Sequence, residues 1–125
     1  MIRIEVENRS GVRVDARSVE ETCRRVLGAE GIDEGDLGVS IVPPDEMRAL
    51  KREHLGIDEP ADVLSFPIDG RDELPAVLPR QLGDVVLCPE VVGDAWRGPL
   101  VHGLLHLLGY DHGDAMERRE AELGG

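Results

Sequence analysis

Aromatic residues are nearly missing: Phe66, Trp96 and Tyr110 are the only ones among 125 residues. Aliphatic side chains must therefore fill the core, and a hydrophobic content of 41% suffices for a globular chain. Platforms on which single-stranded bases could stack are correspondingly scarce. Cysteine is rare too. Cys23 and Cys88 fall in different predicted elements with no paired spacing, so the expectation is a reduced pair buried as small hydrophobes. The opening Met1-Ile2-Arg3-Ile4-Glu5 lacks the apolar core of a signal peptide. No apolar run is long enough to span a bilayer, so a cytoplasmic protein without a membrane partner is expected. Positive charge is in deficit: the formal net charge is −12. That excludes a broad basic surface of the kind that coats nucleic acid non-specifically, but leaves room for a local basic groove. A soluble acidic surface accounts for the net charge.

What is present reads as one domain over residues 1–125. Ile2, Ile4 and Val6 alternate with Arg3, Glu5 and Glu7, the period of a strand with one apolar face. Over residues 15–30, Val19, Cys23, Val26 and Leu27 make the apolar stripe of a helix that Gly28 and Gly31 end. Residues 35–38 read as loop, and Val39, Ile41 and Val42 as a second strand stopped by Pro43-Pro44. Asp45 is placed to cap a helix over residues 46–55, with Met47 and Leu50 inward. Residues 62–67 form a short apolar strand, 69–81 an exposed loop, and 83–88 a further buried strand closed by Pro89. Pro99 suits the first position of an apolar helix, and a charged helix over residues 114–123 ends the chain. The order strand–helix–strand–helix–strand–strand–helix–helix predicts an α/β (α+β) fold. A small mixed sheet of about four strands packs with helices, and the apolar helix lies across it.

The stretch His102-Gly103-Leu104-Leu105-His106-Leu107-Leu108-Gly109-Tyr110-Asp111-His112 contains three of the four histidines. On a helix, His102 and His106 lie one turn apart on the same face. Both imidazoles can then reach one metal ion at about 2.0–2.1 Å. Gly109 can take the left-handed conformation that ends the helix, and the chain turns to bring His112 back. Three neutral imidazoles leave a tetrahedral ion one open position, the ligand count of a catalytic zinc site. A zinc protease would carry Glu after the first histidine as general base, and here that residue is Gly103. Asp111 either orients a ligand histidine or acts as base, or simply forms the turn. Arg48, Lys51 and Arg52 share one helix face and form the densest positive patch in the chain. They read either as a solvated face or as a contact for phosphates. His54 is either a surface histidine or an acid near the cleft, while Ser65 and Asp84 suit packing or capping.

HGLLHLLGYDH, preceded by DVLSFP and LGDVVLCPEV, resembles the YbeY family of bacterial endoribonucleases, with the three blocks in the family's order. The resemblance spans roughly residues 43–112. It implies an α/β metalloprotein with one zinc ion on His102, His106 and His112, another divalent ion such as nickel being able to occupy the site. It also implies cleavage of single-stranded RNA, for which a bound ion can activate a water and polarise a phosphoryl oxygen. The implied biology is maturation of ribosomal RNA, notably the small-subunit 3′ end, and ribosome quality control. The implied partners are single-stranded rRNA and the small subunit or its assembly factors. Where many members carry an arginine before the DVLSFP block, this chain has Leu55, within His54-Leu55-Gly56-Ile57-Asp58. Arg52 or Arg48 could supply that charge. The connector before the metal helix is shorter than usual for the family, and so is the tail after His112. Two other classes stay open: a ribosome-assembly or RNA-binding factor with a structural metal, and a metal-dependent hydrolase of another substrate.

Overall fold

The computed structural model describes residues 1–55, 63–69, 75, 78–89, 95–111 and 113–124. The strands are β1 (Ile2–Asn8), β2 (Gly35–Ile41), β3 (Val63–Pro67) and β4 (Gln81–Leu87). The helices are α1 (Ala16–Ala29), α2 (Pro44–Leu55), α3 (Arg97–Leu107) and α4 (Asp114–Leu123). Among the described residues this is the element order that the periodicities predict. The sheet order is β1-β2-β4-β3, with β1–β2 and β2–β4 parallel and β3–β4 antiparallel. The sheet is therefore mixed, and its last two strands are joined as a hairpin.

Two hydrophobic layers flank the sheet. On one face, α1 and α3 bury Val19, Val26, Leu27, Leu100, Leu104 and Leu105 against Val39, Val85 and Leu87. On the other, Met47 of α2 packs with Val42, Leu64, Val86 and Cys88. Strand alternation explains the split: Val63, Ser65 and Val85 face α3, while Leu64 and Val86 face α2. The face away from α1 and α3 carries Arg3, Glu5 and Glu7 of β1, outward as the alternation requires. Cys23 is fully buried, and burial pushes its thiol up to about 12, so it behaves as a small hydrophobe. Among the described residues no helix is long and apolar enough to cross a membrane.

The boundaries differ from expectation where glycines were misleading. Residues 35–38 are not loop: Gly35 pairs with Ile2 and begins β2. The glycines serve close approach between strands. A Cβ at Gly35 would sit 2.9 Å from Leu82 Cγ, and one at Gly38 would collide with Asp84 Oδ1. β4 likewise begins at Gln81, because the hairpin extends through Asp69: its N–H donates to Gln81 O at 2.8 Å, and Gln81 N–H to Asp69 Oδ2 at 2.7 Å. α2 begins at Pro44, which needs no hydrogen-bond partner for a missing N–H, so Asp45 stands in the first turn and not at the cap. α3 begins at Arg97 after Trp96, and Pro99 is its third residue, still in the turn whose N–H groups have no helical acceptor. Gly28 lies within α1; Gly31, with φ +75°, ends it.

Candidate metal centre

α3 is apolar on most sides because it is the central helix: Leu100, Val101, Leu104, Leu105 and Leu107 are all buried. His102 and His106 take the remaining face. Their rings are 4.7 Å apart between centroids, at an interplanar angle of 80°. Leu107 is the last helical residue, Leu108 caps the end, and Gly109 with φ +100° turns the chain. That is the glycine stop the sequence predicts. Tyr110 N–H donates to Leu105 O at 3.0 Å, which folds the turn back on the helix.

His102 and His106 are each held through Nδ1. The His102 Nδ1 is hydrogen-bonded to Glu120 Oε1 of α4. The His106 Nδ1 lies 2.9 Å from Tyr110 O. A carbonyl oxygen and an ionised carboxylate can only accept, so both rings carry their proton on Nδ1. A ligand role then falls to Nε2 of each ring, the usual division of labour in histidine–metal sites. Two imidazole nitrogens one turn apart, each ring backed by an oxygen acceptor, fit a borderline-soft divalent ion. Among the described residues no group of three His, Cys, Asp or Glu side chains converges. His112, the third expected ligand, lies outside the described residues.

Gly103 acquires a structural reason. It faces the sheet between the two histidines, where a Cβ would sit 2.8 Å from Val63 Cγ2, 3.0 Å from Val85 Cγ1 and 3.2 Å from Ser65 Oγ. Ser65 Oγ donates to Gly103 O at 2.6 Å, so Ser65 ties β3 to α3. A glutamate at position 103 would point into the sheet and could not serve as base.

The other candidate residues are spread out. Asp111 is exposed, one residue before His112. Arg48, Lys51 and Arg52 sit on α2, whose core face packs on the sheet side opposite α3, so the sheet separates that packing surface from the two histidines. His54 stands edge-on to Phe66, with centroids 5.0 Å apart, on that same side. Asp84 is exposed beside Gly38, on the face away from α3. The side chain of Leu55 and residues 56–58 lie outside the described residues, as does the connector at 90–94.

Sequence reasoning missed Glu30, Arg119 and Glu120. The Glu30 side chain, at the end of α1, is only 4% exposed, and its Oε2 accepts from Arg119 Nε at 2.5 Å and from Tyr110 Oη at 3.2 Å. Hydrogen bonds to Glu30 and then Glu122 hold the Arg119 guanidinium above its ordinary pKa. A signal for Glu120 was available: it shares a helix face with Met116 and Leu123, the buried residues of α4.

The chain as a whole resembles known proteins. Endoribonuclease YbeY of Halorhodospira halophila is 45% identical over 121 residues, covering 86% of this chain and 78% of that protein. Endoribonuclease YbeY of Salinispora tropica is 38% identical over 137 residues, covering 94% and 87%. The solution structure of TM1509 from Thermotoga maritima shares the fold, with a TM-score of 0.59 and 25% identity over 98% of this chain and 86% of that one. Residues 4–123 match the family model described as Endoribonuclease YbeY. With the histidine helix, its glycine turn and nearly the whole chain accounted for, this protein belongs to the endoribonuclease YbeY family.

Proposed function

We propose that this protein is a metal-dependent endoribonuclease specific for single strands, with one divalent ion, zinc by its donor set, on His102, His106 and His112. The observation that carries this reading is the pair His102 and His106 on one face of α3, each with Nδ1 already engaged. A divalent ion there supplies a Lewis acid for a phosphoryl oxygen and lowers the pKa of water to about 7. The chain supplies the rest. The Tyr110 carbonyl and the Glu120 carboxylate keep both rings from rotating, and the aliphatic residues of α3 give them a rigid base. Asp111 takes the role of proton acceptor at the rim of the site. Arg48, Lys51 and Arg52 hold backbone phosphates, with the substrate strand passing round the edge strand β3 to join the two faces. The substrate is ribosomal RNA, the small-subunit 3′ end in particular, and the setting is cytoplasmic ribosome maturation and quality control.

The test is cleavage of single-stranded ribosomal RNA by the full chain, with and without chelator, for wild type and His106→Ala. Chelation or the substitution is expected to lower the rate by at least two orders of magnitude, since each removes the group that organises the reaction. Equal rates in all arms would remove the metal from the mechanism.

A further inference from the structure

The last helix has more than a solvated, charged surface. Met116 and Leu123 bury one stripe of α4, at 1% and 6% exposure, and Glu120 lies on that stripe. Its carboxylate meets His102 Nδ1, with both side chains roughly 30% exposed. The helix is fastened independently of this contact. Arg119 Nη2 donates to Ala29 O at 2.8 Å, Arg119 Nε pairs with Glu30, and Arg25 Nη1 donates to Leu123 O. The position of Glu120 is thus set by ties to α1, and the His102 ring follows the carboxylate. The second ring depends on the same neighbourhood, since Tyr110, whose carbonyl holds His106, also bonds Glu30 through its hydroxyl.

We infer that Glu120 is a positioning residue for the metal site: it fixes the His102 tautomer that presents Nε2 to the ion, and α4 is the element that delivers it. This rests on the metal reading given above. An imidazole without such an acceptor divides its proton between two nitrogens and rotates about its χ angles. It must give up both freedoms on binding, and partners of this kind are typically worth 10- to 100-fold in metal affinity. A merely structural ion pair predicts something else, a less stable fold with unchanged affinity.

Two measurements on the full chain separate these cases. The first is competitive titration of Zn2+ against a chelator for wild type, Glu120→Gln and Glu120→Ala, with the exposed Glu117→Ala as a same-helix control. The second is the His102 tautomer in metal-free protein, read from long-range 1H–15N correlations. The expected result is an Nδ1–H tautomer in wild type that is lost in Glu120→Ala. Affinity should fall about 10- to 100-fold in Glu120→Ala and by a smaller factor in Glu120→Gln, which keeps an acceptor oxygen without the charge. Glu117→Ala should match wild type. Wild-type affinity in Glu120→Ala overturns the role of Glu120 and leaves the metal reading standing. Failure of wild type itself to bind Zn2+ overturns both. If Glu120→Ala does not fold, the Gln variant decides: a measurable loss of affinity supports the inference, and wild-type affinity overturns it.

Discussion

A single hydrogen atom at Gly103 sets how close α3 comes to the sheet. Gly103→Ala places a methyl group 2.8 and 3.0 Å from two β-branched side chains, Val63 and Val85, neither able to swing away. Overpacking of this kind costs about 1–3 kcal/mol, and the better helix propensity of alanine returns about 1 kcal/mol. The clash should win. The expected outcome is a lower denaturant midpoint for Gly103→Ala, measured on the full chain. An unchanged or raised midpoint would mean that α3 can lift off the strands without cost. The same site shows why a residue can be read correctly for the wrong reason. From sequence, Gly103 signals only a missing base; in space, it is a packing position from which no side chain could act as one.

At the level of elements, the helices are held by a few well-defined ends. Asp15 caps α1, accepting from Arg17 N–H at 3.0 Å and from Ser18 Oγ at 2.9 Å. The Ser18 bond is the main reason its carboxyl lies below the ordinary value of 3.8. A carboxyl depressed in the native state stabilises it fully above the unfolded value, and that stabilisation is lost as the pH falls through the native one. The thermal midpoint of Asp15→Ala should therefore lie below that of wild type at neutral pH, and the gap should close as the pH drops below about 4. A gap that is constant down to pH 2 would show that the charge of the cap contributes nothing. α4 is the contrasting case. Its sequence is mostly charge, yet Met116 and Leu123 dock it and Glu120 lies between them, because two buried apolar residues are enough to seat a short helix that arginines already tether.

For the whole molecule, the two proposed ligands of α3 stand outside the hydrophobic core. Leu27, Val39, Val85, Leu100 and Leu104 pack between α1, α3 and the sheet, and burial of aliphatic surface is the main driving force. Removal of the ion by chelator should leave a cooperative thermal transition and native near-ultraviolet dichroism, at a somewhat lower midpoint, together with loss of RNA cleavage. Cooperative loss of the fold on chelation would instead favour the assembly-factor reading, in which the ion is structural. The charge of −12 belongs to this scale as well. Glu5 and Glu7 stand on the outward face of β1, the side of the sheet on which α2 packs, so part of the acidic charge is kept away from the two histidines of α3.

By itself, the chain determined the element order, the mixed sheet and the histidine pair, because period-2 and period-3.6 patterns and an i, i+4 spacing are local properties that survive without knowledge of neighbours. Tertiary structure alone decided the rest. Gly35 and Gly38 belong to a strand because β4 passes close beside them; α2 and His54 fall on the far side of the sheet because Leu64 and Val86 alternate with Ser65 and Val85. Glu120 reaches His102 across 18 residues because α4 folds back on α1. Each of these depends on what another element places alongside, and no local pattern encodes the distance between two residues that meet only after packing.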